Sequence, residues 1–290
     1  MLELKNGSVV LEIREDLGAA VSRYDFVDGR SIFRPASEHS NLPFDMACNL
    51  LIPWCNRISD GGFTLKDVFY PLAPNVEGDE CALHGDAFQK EWSCIANTES
   101  SVTLELISDS VAPFNYRAEV TYTLEGADLN IALSVTNLSE LELPYGLGLH
   151  PWFEQDEDTE IQAYAEQLII SNEHNLPVAK VSIADKPELD FRRSKILPSN
   201  GLDNCYSQWN QSAVLTWPSR NMSVSVEADE HFTECHIYSK SRSDNFFCFE
   251  PVTHPVNAHN WPDKSLDGLR LLKQGQAMST RCRFTPKFGA

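Results

Sequence analysis

The stretch Ala118-Glu119-Val120-Thr121-Tyr122-Thr123-Leu124-Glu125-Gly126-Ala127-Asp128-Leu129-Asn130-Ile131-Ala132-Leu133-Ser134-Val135 sets an apolar side chain at every second position on either side of one short break. Successive side chains of an extended chain turn to opposite faces, so this pattern reads as two half-buried strands, with Glu125 to Asp128 as the turn of a β-hairpin. The same alternation runs through Val9, Leu11 and Ile13 and through Val102, Leu104 and Leu106. Residues 214–217, 222–226 and 235–238 continue it, with Pro218-Ser219-Arg220-Asn221 as a turn. Helical spacing over ten or more residues is rare. The expected fold is therefore all-β, a large antiparallel β-sandwich whose long connections carry the polar chemistry. No linker, internal repeat or composition break divides the chain, so residues 1–290 read as a single domain. The longest irregular stretches are expected at about residues 36–53, 64–91 and 172–206.

A chain of 290 residues, 42% of them hydrophobic, can bury a core without metals or disulfides. Its 42 acidic and 23 basic residues give a formal net charge of −19. Such a surface repels nucleic-acid phosphates and anionic lipid headgroups, so neither nucleic acid nor membrane is an expected partner and a neutral small molecule is. The eight cysteines are scattered and form no CxxC pair, which reads as reduced, mostly buried thiols. Met1 to Gly7 lacks a basic segment followed by an apolar one, and no run of 18 apolar residues occurs. The expectation is a soluble, cytoplasmic monomer or homodimer.

One carboxylate interrupts the apolar run Phe246-Phe247-Cys248-Phe249-Glu250-Pro251, on the same strand side as Cys248 and Phe246. Desolvation there raises a carboxyl pKa toward the range of a general base, although a strand-end carboxylate bonded to loop backbone would look the same in sequence. His84, in Ala82-Leu83-His84-Gly85-Asp86, and His150, in Gly146-Leu147-Gly148-Leu149-His150-Pro151-Trp152-Phe153, stand where apolar chain meets a turn. Glycines beside both are expected to admit a ligand closely, while the plain alternative is a pair of hydrogen-bonded structural histidines. Arg57 reads equally as a surface charge or a structural ion pair, and Asp203 as an Asx turn.

Taken in order, these segments resemble the aldose 1-epimerase, or galactose mutarotase, family. The resemblance is carried by Asn56-Arg57-Ile58 with Gly62-Phe63, Tyr70, Leu72 and Asn75, then by Leu83-His84-Gly85 with Trp92 and by Leu149-His150-Pro151-Trp152-Phe153. Leu202-Asp203-Asn204 with Tyr206, and Phe249-Glu250-Pro251 through Asn257-Ala258-His259-Asn260, complete it. It implies the galactose mutarotase-like supersandwich and a cofactor-independent isomerase that interconverts the α and β anomers of an aldohexose. By resemblance Glu250 is the base on the anomeric hydroxyl, His150 the protonated acid toward the ring oxygen, and His84 a hydrogen-bond donor nearby. Arg57, Asp203 and Asn56 would hold the sugar, with no metal. Asp86 and Val68-Phe69 depart from the family pattern and are expected to alter the loop over the sugar.

Other readings remain. Asp203 and Glu250 could be the paired carboxylates of a glycoside hydrolase, which leaves both histidines idle. A hexose-6-phosphate mutarotase would call for clustered basic residues, and the matched segments offer mainly Arg57. A non-catalytic sugar-binding module could stack Trp54, Trp92, Trp152 and Trp261 on its ligand, although aromatics of a sandwich more often fill the core. His254 and His259, with Asn257 and Glu250, look superficially like metal ligands, but their spacing fits no standard zinc pattern.

Overall fold

Two large antiparallel sheets pack face to face. The structure is a computed structural model and describes residues 1–37, 39–261 and 265–289. Among the described residues, the larger sheet has ten strands in the spatial order Leu2–Lys5, Val9–Arg14, Ala20–Phe26, Cys48–Leu51, Gly148–Glu154, Phe246–Val252, Glu234–Ser239, Leu202–Ser207, Gln167–Ser171 and Pro177–Ser182. The second has nine: Lys195–Ile196, Glu160–Ala163, Ser212–Trp217, Met222–Ala228, Ala277–Phe288, Asp128–Asn137, Tyr116–Glu125, Ser101–Ser108 and Ser93–Asn97. The hairpin read from sequence spans Tyr116–Glu125 and Asp128–Asn137, with Glu125 paired opposite Asp128 so that the turn narrows to Gly126-Ala127. Gly126 supplies the positive φ of 62° that a two-residue hairpin turn needs at its first position.

The two sheets differ in what covers them. Strand Asp128–Asn137 alternates buried and half-exposed residues, as one apolar face over a core demands. Strand Phe246–Val252 is buried at every position after the first. Its Phe247 and Phe249 point between the sheets, where Phe247 meets Phe153 and Trp217, and Phe249 meets Trp209. Each such ring contributes roughly 1.5–3 kcal/mol by leaving water. Cys248 and Glu250 point the other way, into a face roofed by long loops. That double burial explains an apolar run with a carboxylate inside it.

The stretches expected to be irregular carry short strands: Cys48–Leu51 in the first, Gly62–Leu65 with Val68–Pro71 and then Ala82–Leu83 in the second, and Pro177–Ser182, Lys195–Ile196 and Leu202–Ser207 in the third. They escape a period-two reading because Cys48–Leu51 is buried on both faces while Val68–Pro71 is largely exposed. All eight cysteines are free and six of them are buried. Among the described residues no helix is long and apolar enough to cross a membrane.

Candidate active site

Four neighbouring strands of the larger sheet bring remote residues together. Glu250 pairs with His236 across strands Phe246–Val252 and Glu234–Ser239. One strand further, Asp203 lies diagonally across from His236, and its Oδ1 is 2.6 Å from His236 Nε2. On the other side, Gly148–Glu154 joins Phe246–Val252 through the pairs Gly148–Val252 and Trp152–Cys248. The interval between those pairs holds His150, whose Nε2 lies 3.4 Å from Glu250 Oε1. Cross-strand spacing of about 5 Å makes such meetings automatic once the register is set.

Loops close the site from above. Asn56 and His84 both take left-handed φ, 56° and 60°, and bond reciprocally: Asn56 N–H donates to His84 Nδ1 and His84 N–H donates to Asn56 O, each at 3.0 Å. A backbone donor on Nδ1 leaves the neutral ring's proton on Nε2, so His84 offers a hydrogen-bond donor. A Cβ on Gly85 would stand 1.8 Å from Ile52 O, and one on Gly148 would stand 2.6 Å from Cys55 Sγ. These glycines admit the protein's own chain rather than a ligand, which corrects the expectation drawn from sequence.

Asp86 is buried and accepts hydrogen bonds from Tyr116 Oη and Ser108 Oγ, both at 2.6 Å, tying the His84 turn to the nine-stranded sheet. Val68 and Phe69 stand exposed on their hairpin and line no part of the cavity described next.

Glu250, His150, His84, Arg57, Asp203 and Asn56 all line one cavity of about 370 Å³, at the small end for ligand sites. Phe44, Trp152, Tyr238 and His236 complete much of its wall. Trp152 stacks on His150, ring centroids 4.9 Å apart, and Arg34 lies over the indole at 4.3 Å. Arg57 is an ion-pair arginine as well as a wall residue: its Nη2 is 2.8 Å from Asp79 Oδ2, and its backbone N–H donates to Asn56 Oδ1.

Burial dominates the electrostatics. It pushes the Glu250 carboxyl up to about 8, with the His236 charge opposing and the Asp203 charge assisting. Burial, reinforced by His236, pulls His150 down to about 3, so the resting imidazole is neutral. His84 also falls well below its ordinary value through burial and the nearby His150. His236 goes the other way. Burial opposes its charge, but the Asp203 hydrogen bond and the Glu250 charge outweigh burial and raise it. Asp203 is lowered despite its own burial because His236 donates to it.

Comparison with known proteins decides the lineage. The family model described as Aldose 1-epimerase matches residues 1–285. The chain belongs to the aldose 1-epimerase family. YphB, an uncharacterised protein of Escherichia coli (strain K12), is 30% identical over 266 residues, covering 90% of each chain. A second uncharacterised protein of that strain, YihR, is 27% identical over 81% of this chain and 77% of its own. Among solved structures, a candidate aldose 1-epimerase of Escherichia coli K12 superposes with a TM-score of 0.92 at 28% identity, covering 99% of this chain and 98% of its own. A galactose mutarotase-like protein from Clostridium acetobutylicum gives 0.86 at 20% identity over 99% and 95%, a likeness of fold.

Sequence reading missed His236. The signal was present: it shares a strand face with Tyr238 inside Cys235-His236-Ile237-Tyr238, the same parity argument that singled out Glu250. The tryptophans divide, with Trp54 and Trp92 in the core and Trp152 on the cavity wall. His254 is structural, accepting Cys55 N–H at Nε2 while Nδ1 lies 2.8 Å from Pro255 O. His150, Cys248 and Glu250 hold potential metal-ligand atoms within 4.8 Å of one another. Burial raises both the thiol and the carboxyl, so either would have to lose a proton to bind a cation.

Proposed function

We propose that this protein is an aldose 1-epimerase acting on a free, unphosphorylated aldohexose, with the chain working as one domain. The observation that carries this reading is the 3.4 Å approach of His150 Nε2 to Glu250 Oε1 in a cavity shared with His84, Arg57, Asn56 and Asp203. Anomer exchange requires the O1 proton to leave while the ring oxygen gains one. Glu250 takes the first and His150 gives the second. The C1–O5 bond opens to an aldehyde, rotation about C1–C2 presents the other carbonyl face, and closure returns both protons.

The resting charges fit this cycle. A protonated Glu250 beside a neutral His150 carries the same number of protons as a carboxylate beside an imidazolium, so one transfer inside the pair arms it. His84 Nε2–H directs a donor toward the ring oxygen, and Arg57, Asn56 and Asp203 hold hydroxyls. General acid–base terms of roughly 10²–10⁴ are sufficient for a reaction that already proceeds in water, without a cofactor.

The cavity mouth favours an uncharged sugar. Arg57 is already paired with Asp79, and the adjoining depression is lined by Asp60, Asp79 and Glu80, the wrong sign for a phosphate. Polarimetry of freshly dissolved α-D-glucose and α-D-galactose tests the reading. Glu250→Gln and His150→Asn should each lose roughly 10²–10⁴ in rate while remaining folded. Near-wild-type rates in either variant would remove that residue from the chemistry, and a preference for glucose 6-phosphate over glucose would overturn the substrate class.

A further inference from the structure

The chemistry above leaves His236 unused, the histidine ion-paired with Asp203 in the cavity wall. His236 is 5% exposed, stands directly opposite Glu250 in the sheet register, and is held by Asp203 at 2.6 Å. Its Nδ1 is buried and has no hydrogen-bond partner among the described residues. The pair is oriented: Asp203 keeps a 31% exposed side chain at the cavity, while the imidazole at 6% is sealed against the neighbouring strand.

We propose that His236, held by Asp203, is a positioning residue for the Glu250–His150 pair: a buried imidazolium, cross-strand to Glu250, whose charge governs how tightly that pair holds its proton. The inference rests on the functional reading of Glu250 and His150 as acid and base. An inventory of charge supports it. The groups that bear on Glu250 from its own and adjacent elements are His150, His236, Asp203, Tyr238 and the thiols of Cys48, Cys55, Cys235 and Cys248. Burial keeps the phenol and all four thiols in their neutral forms at physiological pH, and it keeps His150 neutral too. What remains is one anion, Asp203, and one cation, His236, the nearer of the two by a strand. Arg57 acts on His236 and Asp203, and Arg34 on His150. A cation in that place releases a proton from the carboxyl and also resists one arriving on His150.

His236→Gln removes the charge and keeps a hydrogen-bonding side chain. Both limbs of the pH–rate profile should move to higher pH by about one unit or more, the scale of an opposite charge at this range. At a fixed pH on the acid limb mutarotation should fall about tenfold, while the alkaline limb extends. His236→Lys, with a cation restored, should return the midpoints toward wild type. Infrared difference spectra, using the protonated carboxyl band that Glu250→Gln deletes, follow the same titration without turnover. If the glutamine is not tolerated, His236→Asn carries the same expectation.

Midpoints unchanged in both readouts, with only the amplitude reduced, would overturn the proposal. A fully active Glu250→Gln enzyme would instead end the functional reading, and the infrared midpoint would still decide the role of His236.

Discussion

Truncating Asp86 to alanine tests how the site is held in place. Its two carboxylate oxygens accept from Tyr116 and Ser108 at 2.6 Å, and all three residues are buried. Asp86→Ala strands both hydroxyls away from water, at about 1–3 kcal/mol for each lost partner. A total of about 3–5 kcal/mol is expected. With about 2.1 cal/mol/K of unfolding entropy per residue over 290 residues, that corresponds to a melting temperature lower by about 5–8 °C. The damage should also reach the site, because Asp86 follows Gly85 and its N–H donates to Ile52 O at 3.1 Å beneath the His84 turn. The KM for sugar should therefore rise more than kcat falls. Calorimetry and polarimetry on Asp86→Ala, Tyr116→Phe and the double variant measure both effects, and the two substitutions should couple by at least about 1 kcal/mol. A melting temperature within about 2 °C of wild type, or strict additivity, would refute the reasoning.

Two further outcomes concern stability. Glu234 is buried, accepts from Ser207 Oγ at 3.0 Å and is pushed by burial up to about 8. The folded state therefore binds its proton more tightly than the unfolded chain, and this group's contribution to stability falls as pH rises from about 4.5 through about 8. Glu234→Gln should stabilise at pH 8 on the order of 1–3 kcal/mol and change little at pH 5, as read by urea unfolding at both pH values; an equal effect at the two pH values would contradict this. Gly146→Ala would put a Cβ 2.1 Å from His254 Cδ2, and that ring cannot retreat without breaking its bonds to Cys55 N–H and Pro255 O. A loss of roughly 2–4 kcal/mol is expected in thermal unfolding, and an unchanged melting curve would show that the ring has room to move.

Much of the architecture was legible because alternation is a local property. The hairpin from Tyr116 to Asn137 could be read residue by residue, since one face of the nine-stranded sheet meets the core and the other meets solvent. Cys48–Leu51 was not legible, because a strand buried on both faces shows no alternation. The six site residues emerged through resemblance, each being ambiguous alone. Arg57 is paired with Asp79 and also lines the cavity, a placement its sequence neighbours did not give.

Strand periodicity and chemical type, written into the chain itself, determined an all-β protein and marked the carboxylate at position 250 as a candidate for burial. Only the folded sheet decided that this carboxylate faces His236 and His150, that Asp86 is an anchor, and that Gly85 and Gly148 make room for the protein's own atoms. The reason is range: a side chain's face follows from its immediate neighbours, whereas its cross-strand partner depends on the pairing and register of segments far apart in the chain.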